Sequence, residues 1–288
     1  VQKTKEKFKI VLTGGGTAGH VMPHIALLPT FIKKNWIVLY IGGAGLEKEM
    51  IENIGLSYKQ IATGKLRRYF SWQNLFDFFK VFLGFFQSLY HLYIFKPNVV
   101  FSKGGFVSVP VCFAARVLKI PVVTHESDLT PGLANKMIAK VASAVLYAFS
   151  DTKKYLNSKI KSFWVGIPVR SDLLSGDKEK GLKLCRFKED DKKPVLLILG
   201  GSLGAKIINN TVYSCLDELL NSYKVIHITG RSKSKNIHKK GYKSFEFLND
   251  EFKDVLACSQ LVVSRAGANS LFELLAAQKP MLLIPLSK

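Results

Sequence analysis

The sequence predicts an α/β protein made of two Rossmann-like halves, each a doubly wound parallel sheet. Three observations lead there. Short apolar runs alternate with helical patterns along the chain, as buried parallel strands do with their crossover helices. An apolar run that ends in clustered glycines and opens a helix occurs twice, first in IVLTGGGTAGHV and again in VLLILGGSLGAK, which is how a mononucleotide-binding half begins. Between the two, Ser171–Lys193 is rich in charge and poor in apolar pattern. The boundary is therefore expected near Gly166–Leu173, dividing the chain into 1–168 and 169–288.

In the first half, Lys9–Thr13, Trp36–Ile41, Asn98–Ser102, Pro121–His125 and Ala144–Ala148 read as strands. His24–Lys34, Glu47–Ile54, Leu75–Ile94, Val109–Leu118 and Gly132–Lys140 read as helices between them. In the second half, Pro194–Gly200, Lys224–Thr229, Phe245–Phe247, Leu261–Ser264 and Met281–Ile284 read as strands, with helices at Lys206–Leu220 and Ala268–Ala277. The chain stops at Lys288, directly after MLLIPL. A parallel α/β half places its ligands at the carboxyl edge of such strands, so the second half is expected to be truncated.

A chain of 288 residues with 48% hydrophobic composition is long enough for two cores and excludes global disorder. The net charge of +21 favours an anionic partner: nucleic acid, a phosphorylated substrate or an anionic membrane surface. Charge alone does not choose among these, and a lysine-rich composition gives the same figure without any basic ligand. Cys112, Cys185, Cys215 and Cys258 form no C-x-x-C pair and read as reduced residues of a cytosolic protein, with no disulfide framework and no zinc site. The N-terminal stretch has no signal-peptide hydrophobic region. Leu75–Phe95 is 21 residues long, enough for a bilayer span, but Asp77, Lys80, Gln87 and His91 interrupt it. Two readings remain, a helix lying in a membrane interface and a helix packed on the core.

Gly14, Gly16 and Gly19 fit G-x-G-x-x-G. A dinucleotide site also needs an acid ending the second strand, to hold a ribose. That strand ends in Ile41-Gly42-Gly43, and the first acid after it, Glu47, falls inside a helix. What remains is a turn whose amides and helix N-terminus suit phosphate. His20 follows, either as a base or phosphate donor or as a helix-capping residue. Gly104-Gly105 lie at another strand's carboxyl edge, and His125, Glu126, Asp128 and Asn135 share one loop-to-helix turn. Glu126 and Asp128 are placed for chemistry, against the alternative that Ser127 and Asp128 cap the helix. In the second half, Ser202 in GGSLGAK is placed to bind a phosphate oxygen, although the loop is not a Walker A motif. Arg265 and Glu273 flank a third strand-to-helix turn, where a carboxylate suits two ribose hydroxyls or simply faces solvent.

Together, GGGTAGHVMP, GGFVSVPVCFAA, HESDLTPGLANK, VGIPVR, GGSLGAKIIN and SRAGANSLFELLAA resemble, in order and spacing, the MurG family of peripheral N-acetylglucosaminyltransferases (glycosyltransferase family 28) over nearly the whole chain. HESD stands where other members carry HEQN. The resemblance implies a GT-B fold, two Rossmann-like domains facing a cleft. It implies UDP-N-acetylglucosamine (UDP-GlcNAc) as donor, bound by the second half. The acceptor is lipid I, met by the first half at an anionic cytoplasmic leaflet, with other cell-wall synthesis proteins as further partners. The 4-hydroxyl of N-acetylmuramic acid attacks the anomeric carbon with inversion, and lipid II and UDP leave. No cofactor, metal or nucleic acid is implied.

By the same resemblance, Thr17, Ala18 and Gly19 line the sugar and phosphate end of the site, and His20, Asp128 and Glu126 are the catalytic candidates. Asp128 and Asn135 lie near the sugar, Arg170 and Ser202 on the diphosphate, Asn209 behind that loop and Leu248 on uracil. Ala268, Asn269, Ser270, Leu271, Phe272 and Glu273 form the nucleoside site, with Glu273 on the ribose. A glycolipid synthase that glycosylates diacylglycerol is the nearest rival, and HESDLTPGLANK argues against it. A dehydrogenase lacks its ribose acid, and a basic membrane-binding module would not explain two glycine loops in matching positions.

Overall fold

The computed structural model describes residues 7–64, 72–188, 192–201 and 204–285. Two compact units result, Val1–Pro168 and Val169–Lys288.

In the first unit the order is β1 (Lys9–Thr13), α1 (Ala18–Lys33), β2 (Ile37–Gly42), α2 (Leu46–Glu52), β3 (Tyr58–Gln60), α3 (Trp72–Phe95), β4 (Val99–Ser102), α4 (Ser108–Val117), β5 (Val122–Glu126), α5 (Leu133–Ala139), β6 (Ala144–Tyr147) and β7 (Ser162–Trp164). All strands are parallel, in the order β3-β2-β1-β4-β5-β6-β7. The order reverses between β1 and β4, and ligands of such sheets bind at the carboxyl edge beside that reversal. β1 is buried along four of its five residues because helices cover both sheet faces. One core layer gathers Val11, Ile41, Leu92, Val100 and Val111, and the other Ile10, Leu12, Val21, Phe31 and Tyr40.

The second unit runs α6 (Lys178–Cys185), β8 (Val195–Leu199), α7 (Lys206–Ser214), α8 (Leu216–Ser222), β9 (Lys224–Ile228), β10 (Tyr242–Phe245), α9 (Phe252–Cys258), β11 (Leu261–Arg265), α10 (Ala268–Ala276) and β12 (Met281–Ile284). Its parallel sheet is ordered β10-β9-β8-β11-β12, with the reversal between β8 and β11. Both sheets therefore carry the expected Rossmann-type topology.

Several expectations need correction. α1 starts at Ala18 rather than His24 and runs through Pro23 and Pro29, its buried Val21, Leu28 and Phe31 offsetting the backbone bonds that the prolines cannot make. The expected helix Lys206–Leu220 is two helices, broken at Cys215. The expected strand Phe245–Phe247 lies three residues earlier, as β10. The charged stretch after Ser171 holds α6, whose Asp177 caps the Glu179 and Lys180 amides and whose Leu182 and Cys185 are buried. α6 packs on α9 so closely that a Cβ on Gly181 would meet the Asp254 carbonyl.

α3 answers its own ambiguity in part. Phe85, Leu89, Leu92 and Phe95 pack on the core, while Phe79, Phe82, Leu83, Phe86, Tyr90, Tyr93 and Ile94 are exposed. The exposed set recurs at three- and four-residue steps, so it forms one helix face. Gly84 is required where α3 touches the Ala62 carbonyl, and Gln87 Oε1 accepts the Ala62 amide at 2.6 Å. Among the described residues, no helix is long and apolar enough to cross a membrane. Cys112, Cys185 and Cys258 are buried thiols, and Cys215 is half-buried.

Candidate active site

In the first unit the loops after β1, β4 and β5 meet at the carboxyl edge. Gly104 and Gly105 both have positive φ, +85° and +81°, a conformation that glycine adopts without a Cβ penalty. They are also wedged. A Cβ on Gly104 would strike the Asn135 side chain, and one on Gly105 would lie 2.5 Å from the Gly15 carbonyl and 3.1 Å from His20 Nδ1.

His20 Nδ1 lies 2.7 Å from the Gly15 carbonyl. A carbonyl only accepts, so Nδ1 carries the proton and Nε2 of the neutral ring carries the lone pair. Thr17, Ala18 and Gly19 form the half-open start of α1, and Thr17 gives no side-chain cap. Glu47 corrects the sequence reading. Its carboxylate is buried beneath the glycine turn, accepting from the Gly16 amide and the Gly43 amide, both at 3.2 Å. A Cβ on Gly15 would lie 2.7 Å from it. One amide of the expected phosphate turn is thus taken by a carboxylate, whose charge opposes an anion there.

Glu126 is 3% exposed. It accepts from the Asp128 amide at 2.8 Å, the Gly132 amide at 3.1 Å and Asn135 Nδ2 at 2.8 Å. Asn135 is also buried, within 3.4 Å of Thr124 Oγ1 and the His125 carbonyl. Both side chains brace the loop from inside. Asp128 is exposed at the tip of the turn they hold, and its carbonyl accepts from Thr152 at 3.3 Å.

The sequence reading missed Lys103. Its side chain is 1% exposed, and Nζ lies 2.6 Å from both His125 Nδ1 and Ser127 Oγ. Burial lowers its pKa to about 7 against the opposing pull of Glu126 and Asp128. Burial, with Lys103 adjacent, lowers His125 to about 3. The available signal was a lysine between an apolar strand and a glycine pair, in VVFSKGG.

In the second unit, Gly201 and Gly204 have positive φ in the loop between β8 and α7. Ser202 lies outside the described residues. Asn209 is buried; Nδ2 donates to the Thr229 carbonyl at 2.9 Å, and Oδ1 accepts from His227 Nε2 at 3.0 Å. That bond leaves His227 Nδ1 to accept from the Tyr242 hydroxyl at 3.1 Å. Asn209 therefore ties α7 to β9 behind the loop. Arg170 faces Asp172 at 3.9 Å, and its buried Nε has no hydrogen-bond partner among the described residues. Glu273, on α10, is raised above the usual carboxylate range by burial, with Arg170 pulling it down and Asp172 pushing it up. Ala268, Asn269, Ser270, Leu271 and Phe272 are half-buried beside it on the first turns of α10. Leu248 packs against the core, while its neighbour Phe247 is exposed with the Arg231 guanidinium 5.8 Å from its ring. The Arg231–Phe247 pair was not read from the sequence.

The family model of the glycosyltransferase family 28 N-terminal domain matches residues 10–147, and that of the family 28 C-terminal domain matches residues 195–288. A protein of Clostridium botulinum (strain Langeland) is 50% identical over 283 residues, covering 97% of this chain and 79% of the relative. The chain belongs to glycosyltransferase family 28. A second family 28 relative, from Geobacillus thermodenitrificans, is 51% identical over 284 residues, with the same coverage. Both relatives are named UDP-N-acetylglucosamine--N-acetylmuramyl-(pentapeptide) pyrophosphoryl-undecaprenol N-acetylglucosamine transferase. Among solved structures, Acinetobacter baumannii MurG matches with a TM-score of 0.70 at 24% identity, over 97% of this chain and 79% of that one. A kitacinnamycin glycosyltransferase matches at 0.72 and 12% identity, over 99% and 82%. These likenesses support the GT-B fold class, and the family resemblance carried by the six motifs is borne out.

Proposed function

We propose that this chain is an inverting glycosyltransferase that moves N-acetylglucosamine from UDP-GlcNAc to the 4-hydroxyl of N-acetylmuramic acid in lipid I, giving lipid II. The observation that carries this reading is half-identity over 97% of the chain to relatives named for that transfer.

The chemistry is one displacement. The acceptor hydroxyl attacks the anomeric carbon, loses its proton to a base, and UDP departs with its charge increased. In the first unit, the His20 Nε2 lone pair and the exposed Asp128 carboxylate are the two groups able to take that proton, and Glu126 and Asn135 position the second. Thr17, Ala18 and Gly19 flank His20. In the second unit, Arg170, with a buried donor left over, and the Gly200–Lys206 loop with Ser202 receive the diphosphate. Glu273 accepts from the ribose hydroxyls, and the start of α10 holds the nucleoside, with Leu248 and Phe247 near the base. Asn209 keeps the loop in place.

The exposed aromatic face of α3 is the surface that meets the cytoplasmic leaflet, where lipid I is held, and the +21 charge favours anionic lipid. The protein would then be peripheral, on the cytoplasmic side. Calorimetric titration with UDP-GlcNAc, with NAD as control, tests the central reading. Binding of UDP-GlcNAc that is lost in Glu273→Ala supports it; NAD binding without UDP-GlcNAc binding overturns it.

A further inference from the structure

Lys103 is a buried charged group that the proposed reaction leaves unused. Lysine is almost never fully buried unless it is paired, and a methionine would fill the same space without a desolvation cost. Yet the Lys103 amine makes two short hydrogen bonds and sits beside a reactive turn.

The direction of those bonds is fixed by chemistry. His125 Nε2 lies 2.7 Å from the Gly166 carbonyl, so it carries the ring proton. His125 Nδ1 is then a lone pair, and Lys103 must donate to it. The second Lys103 hydrogen goes to Ser127 Oγ, one residue before Asp128. A neutral amine has two hydrogens, an ammonium three. Both forms keep both bonds, so the turn stays in place while the charge changes. The groups around Lys103 come from two directions. His24 faces it from α1, and burial and Lys103 together hold His24 well below its usual pKa. His125, Glu126 and Asp128 face it from β5 and the loop beyond. The two carboxylates draw a proton onto the amine while burial drives it off.

We propose that Lys103 is a positioning residue of the acceptor site: it holds the Ser127–Asp128 turn through Ser127 and His125, and its gain or loss of a proton sets the charge beside the Asp128 carboxylate. This rests on the reading of Asp128 as part of that site. Protonated Lys103 places a positive charge behind the turn that carries Asp128; neutral Lys103 does not. Burial lowers the amine to about 7, so the charge behind the turn changes near neutrality and turnover changes with it.

Two measurements on the full chain test the inference. The first follows the Ser127 and Asp128 backbone amides by heteronuclear NMR across about pH 5.5–8.5. An inflection near neutrality in the wild type that is absent in Lys103→Met is the expected result. No inflection in the wild type overturns the inference even if the variant does not fold, and the same inflection in a folded variant also overturns it. The second is steady-state transfer. Lys103→Met is expected to lower kcat about tenfold, flatten its pH profile and leave KM for UDP-GlcNAc within about twofold. Wild-type kcat with an unchanged profile overturns the inference. A wild-type chain that transfers nothing overturns the transferase reading instead, and the NMR titration still decides the role of Lys103.

Discussion

Replacing Glu126 separates a base from a brace. Its carboxylate holds three donors, two of them part-buried backbone amides and the third the buried Asn135 amide. A hydrogen bond to a charged acceptor contributes about 1.5–3 kcal/mol net. In Glu126→Ala the two backbone amides regain water, while Asn135 Nδ2 stays unsatisfied. Relief of the carboxylate's own desolvation offsets part of the loss. The expected cost is about 3 kcal/mol, or a fall of roughly 6–12 °C in the melting temperature of a unit this size. All three tryptophans, Trp36, Trp72 and Trp164, lie in the first unit, so tryptophan fluorescence during thermal unfolding reports that unit. Glu126→Gln keeps one accepting oxygen and should recover about half the loss. Transfer should fall in kcat, with KM for UDP-GlcNAc unchanged. A melting temperature within about 2 °C of wild type, combined with abolished transfer, would refute the brace and restore Glu126 as a proton-transfer group.

Three further outcomes follow from the same geometry. Burial raises the Glu273 pKa, so ionised Glu273 weakens the fold as pH rises through and above the ordinary value of about 4.3. Glu273→Gln should then raise the unfolding temperature at pH 7, lose that gain below about pH 4, and still weaken UDP-GlcNAc binding in calorimetry. His227 is lowered from 6.5 to about 4 by burial; the folded state resists its protonation, so stability present at neutral pH is lost as pH falls from about 6.5 toward 4, by about 3 kcal/mol. Urea midpoints from far-UV ellipticity at several pH values should show that slope, and His227→Gln should flatten it; an equal slope in the variant counts against it. Phe82→Ser with Phe86→Ser, both on the exposed face of α3, should leave the melting temperature within about 2 °C but release the protein from anionic vesicles in flotation; retained binding would remove α3 as the membrane face.

The fold was legible because it is written in local pattern. Runs such as KIVLT and VLLIL are apolar along their whole length, as strands covered on both faces must be, and the glycine clusters after them mark where the chain turns into a helix. β3 and β7 were missed because each has three residues and an edge position, with no buried residue in either burial pattern. α6 was missed because four of its eight residues are charged, and its apolar Leu182 and Cys185 acquire meaning only against α9.

The site divides the same way. The sequence by itself determined the family, the two glycine loops, and the presence of His20, Asp128, Arg170 and Glu273 after strand ends. It did not separate an exposed carboxylate from a bracing one. Glu126 and Asp128 are two residues apart, yet one is buried with three donors and the other exposed. Nor did it distinguish Lys103 and Glu47 from the lysines and glutamates of the surface. Those environments arise in the tertiary structure, because burial and hydrogen-bond direction are set where β1, β4 and β5 converge, and segments about a hundred residues apart in the chain set the local dielectric and the partners that fix a charge.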